Sequence, residues 1–288
     1  MDTRFAFIGF GEAGAAFAGG APARGYDRKT DMPNQRAAKL DDFARAGIVA
    51  CADAAAAIKG AGAVFSVVTA DQALIAAQSA AAALDTGALW LDMNSVAPDT
   101  KRAAAASIEA AGGRYVDVAV MAPVHPAQRA GPLLVSGPHA EAGADALTAF
   151  GFTNVTVVPG PVGAASSIKM IRSVMVKGLE ALTAECFLAA DAAGVSDAVG
   201  ASLNASWPGV DWAQKADYNL ERMMVHGLRR AAEMEEVVKT LDALGTGSAM
   251  TRGTVERQRA IGRLGLSPGP TLTDKLDALS ARRKDQAA

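Results

Sequence analysis

Three glycines and one lysine carry the chemistry this sequence offers. Gly9, Gly11 and Gly14 stand at GxGxxG spacing in GFGEAG, directly after the apolar run RFAFIG and at the opening of a helical stretch. Glycine is needed first for a tight turn, second so that the backbone can approach a diphosphate, and third so that helix and strand pack closely. The backbone from Gly9 through Phe10, Gly11, Glu12 and Ala13 to Gly14 then presents its N–H groups to the anion. Asp27 ends the next strand-like run, RGYD, 18 residues after Gly9. A carboxylate about 20 residues on is placed to meet the adenosine ribose hydroxyls. Strand, glycines, helix and acid in this order predict a bound dinucleotide. Asp27 favours NAD by repelling the 2′-phosphate of NADP, while Arg28 and Lys29, next in the chain, can accommodate that phosphate.

The second constellation is SIKMIRSVMVKG, residues 167–178, where Lys169 and Arg172 lie one turn apart among Ile168, Ile171, Val174 and Met175. When a hydride leaves a carbinol carbon the hydroxyl proton must leave as well, and a lysine takes it only if burial or a neighbouring cation disfavours its charged form. Arg172 is such a cation, and its planar fork can also hold a carboxylate in two hydrogen bonds. The competing reading is a solvated stripe, because Lys169, Arg172, Ser173, Lys177 and Glu180 share one helical face.

A later polar stripe places His226, Arg229, Arg230 and Glu233 on one side of MMVHGLRRAAEMEEVVKTLDALG. It reads either as a substrate-facing surface or as an intrahelical salt-bridge face worth about 0.2 to 0.5 kcal/mol per pair. Trp207 and Trp212 flank Pro208 and Gly209 and read as packing at a helix junction rather than as a pocket wall.

The elements that must position these groups alternate. RFAFIG, RGYD, AVFSVV and ALWLDM read as strands, each followed by an alanine-rich helix: Glu12 to Gly20, Pro33 to Ala46, Asp71 to Leu84 and Pro98 to Ala111. That punctuation predicts a parallel sheet covered on both faces. RYVDVAVM, PLLVSG and NVTVVP extend it, with a helix from Ala140 to Phe150 before the last. After PGPVG at 159–163 the strand signal stops and apolar residues recur at helical spacing, with breaks at WPGVD, GTG and SPGP. The expected architecture is α/β: an amino-terminal Rossmann domain with a doubly wound parallel sheet over residues 1–161, and an all-helical domain over 162–288.

Bulk composition removes other classes. A formal net charge of -2 does not suggest a polyanion partner, so nucleic acid is not expected. Cys51 and Cys186 are far apart, outside any CxxC or Cys/His cluster, and predict neither a disulfide framework nor a metal site. The nearest thing to a membrane span, QALIAAQSAAAALDTGALWL, is broken by Asp85 and Gly87, and the opening MDTRFAFIGFG lacks an export signal. A cytoplasmic location is expected.

Four more segments, in order, make the chain resemble the β-hydroxyacid dehydrogenase superfamily of 6-phosphogluconate and 3-hydroxyisobutyrate dehydrogenases over nearly its whole length. SVVTADQA (66–73) and LDMNSVAP (91–98) occupy the places of two loops that, by this resemblance, lay Val68, Thr69, Asn94 and Ser95 along a nicotinamide. VDVAVMAPVHPAQRAGPLLVSG (116–137) is similar to the substrate segment, with Asp117, Ala130, Gly131 and Leu133 matching. Met121, Ala122 and Pro123 replace its Ser-Gly-Gly carboxylate clamp, and His125, just beyond, is a candidate substitute.

GAASSIKMIRS (163–173) resembles the helix whose lysine is the catalytic acid/base; Lys169 matches it, and Arg172 replaces the asparagine. Of the late helix's Lys-Asp pair, Ala232 and Glu233 keep only the acid. The resemblance implies an NAD(P)-dependent oxidation of a small anionic hydroxy acid or sugar acid, with Lys169 catalytic. Ser95, His125, Arg172, Ser173, His226, Arg229 and Glu233 are then at the substrate, and a homodimer forms through the helical domain. Imine reduction on the same scaffold, and a cofactor-binding sensor without turnover, are the rival expectations.

Overall fold

A computed structural model describes residues 4–287; the outer ends of the two expected domains, residues 1–3 and 288, lie outside the described residues. The chain divides into two compact units, Met1–Met170 and Ile171–Ala288. The division falls inside a long helix, beyond the point where that helix begins.

The first unit holds eight strands: β1 (Phe5–Ile8), β2 (Arg24–Tyr26), β3 (Val49–Ala50), β4 (Ala63–Ser66), β5 (Leu89–Asp92), β6 (Arg114–Val120), β7 (Leu133–Ser136) and β8 (Val155–Val157). They form one sheet in the order β3-β2-β1-β4-β5-β6-β7-β8. The first six follow the Rossmann order, in which the connections leave β1 and β4 in opposite directions and open a crevice at the carboxyl ends of those strands.

Six helices cover the sheet: α1 (Glu12–Ala18), α2 (Pro33–Arg45), α3 (Ala54–Ile58), α4 (Ala73–Ala81), α5 (Pro98–Ala110) and α6 (Ala140–Phe150). Pro33 and Pro98 sit in the first turns of α2 and α5, where a missing N–H costs nothing. Gly151, at φ 107°, closes α6 in the left-handed conformation.

Because both faces are covered, the central strands alternate between two cores rather than between core and water. Phe7, Phe65, Leu91 and Val118 point to one core, and Ala6, Val64, Trp90 and Tyr115 to the other. Stacked rings fill the first: Phe7 on Phe65 at 5.0 Å and Phe10 on Phe43 at 4.2 Å between centroids.

Within the expected parallel sheet one pair departs from the pattern. β7 runs antiparallel to β6, with Asp117 opposite Ser136. Parallel neighbours need a crossover of a dozen or more residues, usually helical, and the β6–β7 segment holds only the short 3-10 turn Gln128–Ala130. α6 then supplies the crossover that makes β7 and β8 parallel.

The long helix α7 (Ala164–Ala192) begins in the first unit and continues into the second, which adds α8 (Ser196–Ser206), α9 (Trp212–Leu244), α10 (Ala249–Arg263) and α11 (Leu272–Ala287). Phe187, Leu188, Leu220, Met223, Met224, Ile261, Leu276 and Leu279 form the core of this helical unit. α9 and α10 touch through glycine: a Cβ on Gly227 would lie 2.5 Å from the Gln258 carbonyl oxygen. Trp207 and Trp212 meet edge to face at 5.7 Å at the α8–α9 junction.

Candidate functional site

The glycine turn joins β1 to α1, and its three glycines have three different surroundings. Gly9 has φ +83° and donates its N–H to the Tyr26 carbonyl at 2.9 Å; a Cβ there would lie 2.6 Å from the Val67 carbonyl oxygen. A Cβ on Gly14 would lie 3.1 Å from the Phe10 ring, so this glycine lets α1 close on the strand. Around Gly11 a Cβ would meet nothing within 4 Å. The absent side chain at Gly11 therefore leaves open space rather than relieving a clash, as a bound diphosphate requires.

Asp27 is 9% exposed, and its carboxylate accepts from the Phe10 N–H at 2.7 Å and the Lys29 N–H at 2.9 Å. The acid thus ties the end of β2 to the turn, and its further lone pairs stay available to a ribose. The Phe10 ring is buried and its N–H is taken by Asp27, which corrects the expectation that this group faces the diphosphate. The Lys39 amine, reaching back from α2, donates to the Phe10 carbonyl at 2.7 Å. Glu12 and Gly11 are exposed and Ala13 half-buried. Arg28 is exposed and donates to Gln72 at 2.6 Å.

At the carboxyl edge of the sheet, strand register brings Ile8, Ser66, Asp92 and Asp117 side by side. Asn94 braces the loops that follow β4 and β5. Its Oδ1 accepts from the Val68 N–H at 2.7 Å, and its Nδ2 donates to Ser66 Oγ at 2.9 Å and to Asp92 Oδ1 at 2.7 Å. Its amide is therefore engaged inside the protein, whereas the neighbouring Ser95 Oγ accepts from Lys169 Nζ at 2.5 Å. Thr69 is exposed and Val68 half-buried; a Cβ on Gly9 would lie 2.7 Å from Val68 Cγ1. The structure thus links Gly9, Val68, Asn94, Ser95 and Lys169 in an unbroken series of contacts within the first unit.

Beneath this edge is a cluster the sequence analysis did not single out as a unit. Lys101, Asp92 and Asp117 are fully buried. Lys101 Nζ lies 2.6 Å from the Asp92 carbonyl, 3.1 Å from Asp92 Oδ1 and 3.4 Å from Asp117 Oδ1. Tyr115 donates its hydroxyl to Asp92 Oδ2 at 2.6 Å. Burial, followed by the Asp92 charge, pushes this phenol well above its ordinary value, so it stays a donor. Asp117 Oδ2 accepts from the Gly163 and Ser166 N–H groups, each at 3.1 Å, and so caps the start of α7. Helical phase was the available signal: Lys101 falls with Ala104, Ala105 and Ile108 on the buried face of α5.

The remaining expected site residues fall differently. His125 is exposed on the β6–β7 loop. In the helical unit Arg172 is exposed, but Ser173, Lys177 and Glu180 are buried, which corrects the reading of one solvated stripe. Lys177 donates to Ser173 at 3.2 Å and pairs with Glu233 at 3.0 Å.

Arg229 and Arg230 do not share a side. Arg229 points outward and pairs with Glu233 at 3.1 Å, whereas Arg230 turns inward and holds both oxygens of Glu180. Adjacent residues on a helix are roughly 100° apart, so the two had to diverge. His226 is half-buried. Among the described residues no group of three or more His, Cys, Asp or Glu could hold a metal ion, and no helix is long and apolar enough to cross a membrane. Cys51 and Cys186 are both free thiols.

Strand order, glycine turn and strand-end acid define a Rossmann dinucleotide-binding domain. Residues 4–157 match the model of the NAD binding domain of 6-phosphogluconate dehydrogenase, and residues 190–261 match a domain of unknown function (DUF1932). The chain belongs to the family with the NAD-binding domain of 6-phosphogluconate dehydrogenase.

Among solved structures, a conserved hypothetical protein from Sinorhizobium meliloti 1021 is 38% identical, with a TM-score of 0.76 over 98% of this chain and 97% of that one. A Mycobacterium tuberculosis 3-hydroxyisobutyrate dehydrogenase with L-serine shares the fold at 18% identity and TM-score 0.74, covering 97% and 99% of the two chains. A Streptomyces aurantiacus imine reductase does so at 19% identity and TM-score 0.56, covering 96% and 99%. No curated protein sequence gave a significant match.

Proposed function

We propose that the protein is an NAD(P)-dependent oxidoreductase acting on the CH–OH group of a small hydroxy acid or sugar acid, with Lys169 as its general acid/base. The observation that carries this reading is the Lys169–Ser95 contact, at 2.5 Å, in direct continuity with the glycine turn through Asn94 and Val68. An amine presented at the carboxyl edge of a Rossmann sheet is where proton transfer must accompany hydride transfer.

Gly9 would shape the turn that admits the diphosphate, its own N–H being given to Tyr26, while the backbone of Gly11, Glu12, Ala13 and Gly14 would hold that group and Asp27 the adenosine ribose, with Arg28 near it. A bound nicotinamide supplies the hydride acceptor or donor. The chain's own part is the proton. In the oxidative direction the Lys169 amine accepts the substrate hydroxyl proton, and in the reductive direction the ammonium returns it. Ser95, which holds Lys169 Nζ, orients that amine and shares the substrate hydroxyl. Arg172, one helical turn further on, supplies a cation for the substrate carboxylate, and His125 a second polar group in place of the missing Ser-Gly-Gly clamp. Ser173, His226, Arg229 and Glu233 remain candidate substrate-binding groups of the helical unit in this proposal, with Glu233 held by Lys177 and Arg229. Asp27 supports a preference for NAD over NADP.

The helical unit exposes Ile171, Met175, Leu182, Val225 and Leu228, an apolar set that supports pairing of two copies through this unit. A cytoplasmic location is part of the same proposal.

The experiment is a screen for absorbance change at 340 nm, with C3 to C6 hydroxy acids, sugar acids and aromatic hydroxy acids, each with NAD and NADP. The reading expects turnover of an anionic hydroxy acid that Lys169→Ala removes. Imine reduction is the second reading, favoured by the shared fold with an imine reductase. It instead expects NAD(P)H consumption with cyclohexanone and methylamine. A cofactor-binding sensor would be stabilised by NAD yet turn over nothing in either panel.

A further inference from the structure

Lys101 is a lysine with a fully buried ammonium at the end of an alanine-rich helix face, and the proton transfer described above does not use it. A buried cation left without an anion, like a buried carboxylate left without a cation, carries a large desolvation cost. Here the partners are present: Lys101 Nζ reaches Asp92 Oδ1 at 3.1 Å and Asp117 Oδ1 at 3.4 Å. Among the described residues the other hydrogen-bond partners of the two carboxylates are neutral donors: Tyr115 and Asn94 toward Asp92, and Ser136, Ser166 and the Gly163 amide toward Asp117.

The two acids govern different parts of the site. Asp92 Oδ1 accepts both the backbone N–H and the side-chain amide of Asn94, at 3.0 and 2.7 Å, and so fixes the loop that carries Ser95. Asp117 caps the first turn of α7, the helix that carries Lys169 one turn later. The Lys169–Ser95 bond closes a ring that runs through Asn94, Asp92, Lys101, Asp117 and Ser166.

We propose that Lys101 is a positioning residue, whose buried ammonium clamps Asp92 to Asp117 and thereby sets the distance between the Ser95 loop and the Lys169 turn. The catalytic meaning of that distance rests on the reading of Lys169 as the acid/base; the clamp itself does not. Charge neutralisation and positioning make different demands. A balanced removal of one cation and one anion satisfies the first and leaves the second unmet.

The test uses the full-length protein with Lys101→Met, and with Lys101→Met combined with Asp92→Asn. Asparagine at 92 can still accept from Asn94 and can donate its amide to the Tyr115 oxygen. The first readout needs no turnover: the rate at which an amine-acylating reagent modifies Lys169, divided by that of exposed Lys59, measured by peptide mass in folded protein. Both variants are expected to raise this ratio, because the amine is released from Ser95. The double variant should melt nearer to wild type than Lys101→Met does. In turnover, kcat should fall by about 10²-fold in both variants, the cost of a misplacement on the order of 1 Å, while the cofactor KM stays within about twofold.

A wild-type labelling ratio in the double variant overturns the clamp, even if Lys101→Met alone does not fold. So does recovery of kcat and labelling together with stability, which would leave Lys101 a neutralising charge only. If wild-type protein turns over no hydroxy acid, the functional reading fails while the labelling ratio still decides the clamp.

Discussion

Alanine at Gly9 and alanine at Gly11 should do opposite things. At Gly9 the backbone has φ +83°, and the new Cβ would lie 2.6 Å from the Val67 carbonyl oxygen and 2.7 Å from Val68 Cγ1. The left-handed conformation costs an alanine roughly 1–2 kcal/mol, and overpacking a full interior adds about 1–3 kcal/mol. With about 2–4 °C lost per kcal/mol in a domain of this size, Gly9→Ala should lower Tm by on the order of 10 °C.

At Gly11 the backbone sits at φ -88° and ψ -154°, which alanine adopts freely, and its Cβ would touch nothing within 4 Å. Gly11→Ala should leave Tm unchanged or slightly raised, by the roughly 0.4–1 kcal/mol gained from a less flexible unfolded chain. The open space is where the diphosphate must come, so NAD affinity should fall at least about tenfold, or roughly 1.4 kcal/mol. Differential scanning fluorimetry and titration of the coenzyme, with and without each substitution, read both quantities. The reasoning is refuted if Gly11→Ala binds NAD like wild type, or if it loses as much stability as Gly9→Ala.

Lys169→Ala should reduce kcat by about 10²–10⁴-fold while leaving coenzyme affinity near wild type; equal losses of both would mean that the residue shapes the nucleotide site instead. Arg230→Met, which strands the Glu180 carboxylate inside the helical unit, should cost about 3–5 kcal/mol in urea unfolding, whereas Arg229→Ala on the exposed face should cost no more than about 1 kcal/mol. Tyr26 is pushed up to about 12, by burial and then by its bond to Asp31, and Tyr115 lies well above its ordinary value. Folded pKa values above the unfolded value of about 10 mean that the folded chain keeps protons the unfolded chain gives up. Their contribution is complete below that pH and is lost as pH rises through the folded values. Melting temperature should therefore drop on approaching pH 12, with phenolate absorbance rising at the same step; early, stability-independent ionisation of both phenols would contradict this.

Legibility in the sequence followed the strength of local pattern. RFAFIG and ALWLDM are largely apolar runs because both sheet faces are covered, and Gly9 and Gly14 are constrained by the turn itself, whereas Gly11 is legible only through the ligand its open space must admit. β3 and α3 passed unnoticed because two strand residues and five helical ones carry no period. The antiparallel turn of β7 is set by what the preceding loop lacks, which no residue advertises. Lys101 carries no mark of its burial until its phase with Ala104 and Ile108 is counted, and Arg230 points inward while Arg229, one residue earlier, points out. Buried charge is the least legible feature, since its partners come from distant strands and helices.

A crystal structure with reduced coenzyme and a hydroxy acid that turns over bears most directly on the proposed chemistry. The account expects the nicotinamide C4 within about 3–3.5 Å of the carbinol carbon and the Lys169 amine within hydrogen-bond reach of the carbinol oxygen. A nicotinamide ring bound away from Ser95, or a carbinol oxygen held by some other proton donor with Lys169 turned from it, would contradict it.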